Sequence, residues 1–198
     1  MITAIIPAAG TSSRMGEANK LLLPFRGRTV IENAVDTLLE SRIAEILIVV
    51  GFESEKVIAA LSEKPRRVKI VENPEYEVGM STSIKAGVAV ASAESEAIMI
   101  YLADMPLLEP ADINRLIDSF REAKDTKKSI VVPVFEGRRG NPVILDARLK
   151  ADILDVVGDI GCRRIIKNNP DKVSIVEMMT DHVVRDIDSP ADYEELLR

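Results

Sequence analysis

The sequence predicts an α/β protein with a mostly parallel sheet that is covered by helices on both faces. Short apolar, β-branched segments alternate with longer segments of helical periodicity, an order typical of parallel sheets. Segments such as EILIVV and AIMIYL contain continuous apolar runs rather than an apolar residue at every second position, which indicates strands buried on both sides. The length of 198 residues suits one domain, which we expect to span residues 1–198.

Each expected strand or helix follows from such a segment. Strands are expected at the apolar, β-branched segments Thr3–Ala8, Ile46–Gly51, Val68–Val71, Ala97–Leu102, Ile130–Phe135, Pro142–Leu145, Val173–Val176 and Val183–Ile187. Helices are expected at the segments of helical period Val30–Ser41, Ser54–Ser62, Ser83–Ser92, Ala111–Glu122, Cys162–Asn168 and Ala191–Leu197. The charged segment AKDTKKS is expected to be a solvated turn.

The composition narrows the classes of function. A net charge of −6 without a basic cluster, and the absence of tryptophan, argue against nucleic-acid binding. No apolar run reaches about 18 residues, so we expect no membrane span, and the chain enters its first strand without a signal sequence. The single cysteine, Cys162, excludes an internal disulfide and a cysteine-based zinc site. These features predict a cytoplasmic protein.

The first strand ends in a glycine-containing loop within TAIIPAAGTSSRMGEANKLL. Backbone N–H groups in such a loop can face an anion, and the loop carries the cations Arg14 and Lys20, which suggests a polyphosphate ligand. The loop is neither a Walker A motif, because Gly10 and Gly16 are separated by five residues, nor a dinucleotide G-x-G-x-x-G motif. An ordinary strand-to-helix turn with surface charges is the alternative interpretation.

Aspartates that could bind a metal occur in two segments. One segment follows a predicted strand, and the other lies just before the last predicted helix. Asp104 stands at the end of AIMIYL, where a carboxylate can hold a divalent metal against phosphate oxygens; a plain turn aspartate is the alternative. Asp186 and Asp188 lie two residues apart and would repel each other unless magnesium or a lysine lies between them. Ser189 is expected to cap the last helix, with Asp192 completing the capping box.

Three further segments carry polar residues in turns. GMSTS precedes a helical pattern, so its hydroxyls either cap that helix or face a nucleotide. The turns RRGNP and GDIGCRR are either plain turns or anion-binding turns. His182 is expected at the surface rather than as a base, and Cys162 is expected to be a buried, inert thiol.

Together these segments resemble a known family. The sequence is similar to the molybdenum cofactor cytidylyltransferases, the MocA-like branch of the MobA-like NTP transferases, in PAAGTSSRMGEANKLL, ENPEYEVGMSTSI, YLADMP, RRGNPVIL, GDIGCRR and DIDSPADYEEL. These six segments stand in order across nearly the whole chain. The resemblance implies a Rossmann-like nucleotide-diphospho-sugar transferase fold. It also implies an Mg²⁺-dependent transfer of CMP from CTP to molybdopterin with release of pyrophosphate.

The resemblance also implies roles for particular residues. The first loop would bind the nucleotide through Ala8, Ala9, Gly10, Arg14 and Lys20. Arg14, Lys20 and Asp104 would be the catalytic residues.

Metal, nucleotide and acceptor would each have further ligands under this resemblance. Magnesium would be held by Asp104 and Asp188, with Asp186 as an alternative to Asp188, and Ser81 and Ser83 would lie near the nucleotide. The molybdopterin-type acceptor would be bound by Arg139, Asn141, Asp159 and Arg163. A molybdenum hydroxylase would receive the product.

The resemblance leaves several alternatives open. Guanylyl-transferring relatives usually carry Leu-Ala-Gly-Gly in the first loop, whereas this chain has Pro-Ala-Ala-Gly, which favours CTP over GTP. A sugar-phosphate or polyol-phosphate nucleotidyltransferase would share the first loop and the metal aspartate. A cofactor escort protein without catalysis is the alternative from a different class.

Overall fold

The computed structural model describes residues 1–16, 18–61, 65–123, 126–155 and 162–197. Its strands, in chain order, are β1 (Ile2–Ala8), β2 (Pro24–Phe25), β3 (Arg28–Thr29), β4 (Glu45–Val50), β5 (Val68–Glu72), β6 (Ala97–Ile100), β7 (Ile130–Phe135), β8 (Arg138–Arg139), β9 (Val143–Asp146) and β10 (Val173–Glu177). Its α-helices are α1 (Val30–Glu40), α2 (Ser54–Ala60), α3 (Met80–Val90), α4 (Pro110–Ala123), α5 (Lys150–Leu154), α6 (Arg163–Asn168) and α7 (Pro190–Leu196).

The main sheet has the strand order β10-β7-β9-β6-β1-β4-β5, and β8 pairs with β7. The pairs β6–β1, β1–β4, β4–β5 and β7–β10 are parallel, whereas β9 runs antiparallel to both β6 and β7. The predicted mostly parallel sheet is therefore confirmed, with β9 as an antiparallel insertion.

Two apolar cores pack against the two faces of this sheet. Helices α1, α2 and α4 contribute to one core, which also contains the even-numbered residues of β1 such as Ala4 and Ile6. Helices α3, α5 and α6 contribute to the other core, with Ile5 of β1. Every residue of β4 is buried, as its continuous apolar sequence predicts. We refer to the face of the sheet that packs against α1 as the α1 face, and to the face that packs against α3 as the α3 face.

One predicted strand, Val183–Ile187, is wrong. Residues Asp181–Val184 form a 3₁₀ turn, and the segment that follows has no strand pairing. Val183 and Ile187 are nevertheless fully buried, because each packs separately into the core on the α1 face. Apolar side chains four residues apart here anchor a loop to the core rather than form part of a strand.

Most predicted boundaries are confirmed to within one or two residues, and the differences have local causes. Helix α3 begins at Met80, three residues earlier than predicted, because Gly79 takes a backbone φ of 129° and precedes the helix directly. Helix α7 has the predicted capping box, in which Ser189 and Asp192 satisfy each other's backbone N–H groups. The short helix α5 and the strands β2, β3 and β8 were not predicted.

No helix within the described ranges combines the length and the apolar character that crossing a membrane requires.

A buried carboxylate, Glu45, joins neighbouring elements at the amino end of the parallel strands. Its oxygens accept hydrogen bonds from the Thr3 hydroxyl at 2.9 Å, the Ser92 backbone N–H at 3.0 Å and the Lys69 ammonium at 2.7 Å. Burial alone would raise the pKa of Glu45, but the hydrogen bonds from Lys69, Ser92 and Thr3 outweigh it and the pKa is lowered.

We expect Glu45→Gln to lower the free energy of unfolding by about 1–3 kcal/mol at pH 7, because buried Thr3 and the two other donors lose a charged acceptor. Since folding lowers the pKa of Glu45, its carboxylate contributes fully above the ordinary glutamate value of about 4.3 and less as pH falls through the lowered value. Urea unfolding of both proteins from pH 7 to pH 3 should show their difference shrinking on acidification. A difference that stays constant over this range would contradict the assignment.

Candidate active site

A cavity of about 930 Å³ opens at the carboxyl ends of the parallel strands. The loop after β1, the residues after β6, the segment before α3, the turn after β8 and the cavity-facing side of α6 all contribute to its lining. Ligands of open α/β sheets bind at this end of the strands because loops from several strands converge there.

Lys20 lies at the centre of the charged end of this cavity. Its ammonium donates to Asp104 Oδ2 at 2.5 Å and to the carbonyl oxygen of Ile187 at 2.9 Å, and it lies 3.5 Å from Asp188 Oδ1. The Lys20 backbone N–H donates to the Ser12 hydroxyl, which fixes the start of its 3₁₀ turn against the first loop. A lysine therefore lies between two carboxylates that stand 84 residues apart in sequence.

Asp104 has one carboxylate oxygen that remains available. Its Oδ2 binds Lys20, while Oδ1 is buried and makes no hydrogen bond. The Asp104 carbonyl accepts the Ile187 N–H at 2.9 Å, which holds the segment leading to Asp188 beside it. A buried acceptor oxygen without a donor fits coordination of a cation, since buried polar atoms are rarely left unpaired.

The described residues contain no cluster of three or more carboxylate, histidine or cysteine side chains arranged for a metal. Two carboxylates nevertheless fit magnesium, which is commonly bound through one or two carboxylates together with substrate phosphates. The donor set of Asp104 and Asp188 is therefore compatible with a magnesium ion that completes its coordination with a phosphorylated substrate.

Arg14 reaches the same group of charges from the first loop. One guanidinium nitrogen lies 2.6 Å from Asp188 Oδ2, but 70% of the Arg14 side chain is exposed. An exposed ion pair of this kind contributes little to stability, so Arg14 is free to exchange Asp188 for an anionic ligand.

Asp186 differs from Asp188 although it lies only two residues away. Its side chain is exposed and forms no ion pair within the part of the chain that the structure describes. Although the residue as a whole is exposed, partial burial of its carboxyl group, followed by the negative charges of Asp104 and Asp188, raises the pKa of Asp186. The contacts with Lys20 and Arg14 favour Asp188 over Asp186 as the partner of Asp104.

Of the other residues expected at the nucleotide, some line the cavity and some do not. Ala9, Gly10 and Ser83 line the cavity, whereas Ala8 and Ser81 are buried and outside its lining. Because α3 starts at Met80, Ser81 falls in its first turn and points into the protein.

The hydroxyls of GMSTS do not cap α3. Gly79 is the N-cap residue, and no side chain caps the helix there. Ser83 instead accepts a hydrogen bond from the Asn73 amide at 3.0 Å, and the same amide donates to Thr82 at 2.8 Å. The capping interpretation of these hydroxyls is therefore wrong.

Three of the four residues expected on the acceptor side line the same cavity. Arg139, Asn141 and Arg163 line it, and Arg139 and Arg163 are exposed. Asp159 lies outside the described residues. Cys162 also lines the cavity; burial raises the pKa of its thiol to about 12, as the expected inert thiol requires.

Some residues were missed or misplaced from sequence. Tyr76, Glu77 and Lys167 also line the cavity. The spacing of Lys167 four residues after Arg163 was an available signal, since such residues share a helix face. His182 is not a free surface residue: its ring Nδ1 lies 2.9 Å from Asp112 Oδ2 in a largely buried pair.

Gly140 couples the acceptor side to the segment that carries Asp188. The Gly140 N–H donates to the carbonyl oxygen of Pro133. The N–H of the next residue, Asn141, donates to the carbonyl oxygen of buried Val183 at 2.9 Å. A Cβ atom on Gly140 would lie 2.2 Å from that oxygen, so only glycine fits without movement of the backbone.

We expect Gly140→Ala to lower the free energy of unfolding by about 1–3 kcal/mol, because it overpacks a backbone contact that cannot yield easily. The midpoint of thermal unfolding measures this change. An unchanged midpoint would show that the Val183 segment moves at little cost and is not fixed by this turn.

Comparison with known proteins now gives the family. The MobA-like NTP transferase domain matches residues 4–173 of this chain. The chain belongs to the MobA-like NTP transferase family. The matched range includes Arg14, Lys20 and Asp104 and ends before Asp188.

Curated relatives of this family member span nearly its whole length. Nicotine blue oxidoreductase from Paenarthrobacter nicotinovorans is 32% identical over 200 residues, covering 99% of this chain and 96% of the relative. Molybdenum cofactor cytidylyltransferase from Escherichia coli (strain K12) is 29% identical over 192 residues, covering 97% and 93%.

A solved structure supports the same placement. A nucleotidyl transferase from Methanothermobacter thermautotroptrophicus superposes with a TM-score of 0.82 at 26% identity, covering 100% of this chain and 98% of the other. The nucleotidyltransferase-type Rossmann-like fold is thereby confirmed, and the chain is a nucleotidyltransferase of the MobA-like family.

Proposed function

We propose that this protein transfers CMP from CTP to the phosphate of molybdopterin, depends on Mg²⁺ and releases pyrophosphate. The observation that carries the proposal is the position of Lys20, which lies between Asp104 and Asp188 beside a glycine-containing loop, with Asp104 Oδ1 unpaired. A reaction between two anionic phosphates needs positive charge at the reacting centre. The Lys20 ammonium supplies such charge directly, and the two carboxylates could hold a metal ion that supplies more. We further propose that it acts in the cytoplasm and passes its product to a molybdenum hydroxylase.

The transfer is a substitution at the α-phosphorus of CTP. A phosphate oxygen of the acceptor forms the new P–O bond, and the bond from the α-phosphorus to the bridging oxygen breaks, so that pyrophosphate leaves with its electron pair. The acceptor phosphate is already ionised near pH 7, and no general base is needed.

Lys20 and Arg14 supply positive charge where the reaction needs it. The Lys20 ammonium is held by two fixed oxygens and offsets charge on the triphosphate without reorganisation. Arg14, exposed on the first loop, can turn from Asp188 to the departing pyrophosphate. Magnesium, held by Asp104 and Asp188, would supply further charge neutralisation for the donor and acceptor phosphates.

The choice of CTP and of a molybdopterin acceptor rests on the sequence resemblance. Pro7, Ala9 and Gly10 of the first loop line the cavity and carry the Pro-Ala-Ala-Gly pattern of the cytidylyl branch. The same cavity is also lined by Arg139, Asn141 and Arg163, which come from the turn and helix that resemble the pterin-binding segments. The relative from Escherichia coli bears a name that agrees with this proposal.

Pyrophosphate release tests the proposal. With Mg²⁺, CTP and molybdopterin we expect stoichiometric pyrophosphate and a cytidylylated product, and little release with GTP. Turnover with simple sugar phosphates instead of molybdopterin would reassign the acceptor. Tight binding of molybdopterin without pyrophosphate release would indicate an escort protein.

The name of one relative favours a second candidate, an oxidoreductase, because Nicotine blue oxidoreductase is 32% identical over the length of the chain. Such an activity would need an electron donor, and the first loop lacks the dinucleotide-binding glycine pattern. Reduction of nicotine blue by a nicotinamide cofactor in the presence of the protein would support this candidate. Unchanged cofactor absorbance would exclude it.

A further inference from the structure

Three cations in the cavity lining, two of them expected from the resemblance to bind the acceptor, differ from the two on the first loop. Arg139, Arg163 and Lys167 all line the cavity and are exposed. Whereas the first-loop cations are paired with carboxylates, these three form no ion pair and no side-chain hydrogen bond with any of the residues the structure describes. They are therefore available to an anionic ligand.

Helix α6 places two of these cations on one side. Arg163 and Lys167 are four residues apart and thus one turn apart on the same face, and Cys162 and Ile166 line the cavity beside them. Arg164 lies outside the cavity lining and donates to the carbonyl oxygen of Asp155. The cavity-facing side of α6 thus carries a pair of like charges, which repel unless an anion lies between them.

This pair and the reacting centre line the same cavity but belong to elements that pack on opposite faces of the sheet. Ile165 and Ile166 of α6 pack in the core on the α3 face. Ala103, which precedes Asp104, and Ile187, which precedes Asp188, pack in the core on the α1 face. Arg163 and Lys167 therefore reach the cavity from the α3 face, whereas the cations that pair with Asp104 and Asp188 are Lys20 and Arg14.

We propose that Lys167 is a further acceptor-binding residue that acts with Arg163 on a second anionic group of the acceptor, distinct from the phosphate that reacts. This inference rests on the proposed function and specifies its substrate class, a phosphorylated acceptor with an additional negative charge. The protein carries a net charge of −6, so a doubly anionic acceptor needs local cations to enter the cavity.

Steady-state kinetics with CTP, Mg²⁺ and molybdopterin test the inference. Lys167→Gln should raise the KM for molybdopterin about tenfold, the loss expected for one charge-assisted contact, with kcat and the KM for CTP nearly unchanged. Lys167→Arg should retain most of the affinity. The matched control is Lys172→Gln, because Lys172 is exposed, lies shortly after α6 and is outside the cavity lining.

An unchanged molybdopterin KM in Lys167→Gln, or an equal rise in Lys172→Gln, would overturn the inference. If the wild-type protein releases no pyrophosphate, the proposed function fails, and equilibrium binding of molybdopterin to the same variants decides the inference separately. Weaker binding by Lys167→Gln alone then supports it. Equal binding by all variants, or no binding by the wild type, overturns it.

Discussion

Replacing Lys20 with alanine is expected to lower kcat/KM for the nucleotidyl transfer about 10²- to 10³-fold, the range found when one preorganised donor is removed from a reacting centre. The Lys20 ammonium makes three contacts, with Asp104, Ile187 and Asp188, and only 18% of its side chain is exposed. Without it Asp104 would lose its ion pair and would repel the triphosphate, while Asp188 would keep only the exposed Arg14. Pyrophosphate release under saturating Mg²⁺ measures the loss.

The matched control for Lys20→Ala is Lys56→Ala. Lys56 is also a lysine in an ion pair, with Glu53, but it is exposed on α2 and outside the cavity lining. We expect wild-type turnover from the control and cooperative unfolding from both variants. Equal rates for Lys20→Ala and the wild-type protein would remove Lys20 from the mechanism.

Asp104→Asn is expected to lower kcat by a similar factor, about 10²- to 10³-fold, and to raise the Mg²⁺ concentration needed for half-maximal rate. The asparagine keeps the shape of the side chain but removes the charge that pairs with Lys20. The variant also replaces one of the buried carboxylate oxygens with an amide NH₂ group. A Mg²⁺ titration of the rate separates lost metal affinity from lost positioning.

Asp186→Asn provides the comparison for Asp104→Asn. Asp186 lies near the same carboxylates but is exposed and has no contact with Lys20 comparable to those of Asp104 and Asp188. Its Mg²⁺ dependence should stay close to that of the wild-type protein. If Asp104→Asn kept a near-normal Mg²⁺-dependent rate, or if Asp186→Asn lost it instead, the metal would have been assigned to the wrong aspartate.

The sequence predicted those parts of the fold that depend on local patterns. The segment EILIVV became the fully buried strand β4 because five consecutive apolar residues, 46–50, suit a strand covered on both faces. The capping box of α7 could be predicted because its partners, Ser189 and Asp192, are only three residues apart in the sequence. The antiparallel position of β9 between β7 and β6 could not be predicted, since strand order depends on contacts between segments that are distant in the sequence.

The candidate site shows the same division between local and distant contacts. The position of Asp104 after a strand placed it at the correct edge of the sheet, and the glycine-containing loop indicated Lys20 as a phosphate-binding cation. The structure brings the two together. Ser81 is buried because α3 begins at Met80, directly after Gly79. The pattern of hydroxyl residues did not indicate this helix start. The pairing of His182 with Asp112 joins residues 70 positions apart, which no local pattern indicates.

Calorimetric titration of CTP and of GTP into the protein, each with and without Mg²⁺, tests the central claim most directly. We predict Mg²⁺-dependent binding of CTP that is at least about tenfold tighter than that of GTP, a difference of about 1.4 kcal/mol. Tighter binding of GTP would contradict the assignment of the nucleotide. Binding of neither nucleotide, with or without Mg²⁺, would contradict the proposal that the charged end of the cavity holds a nucleoside triphosphate.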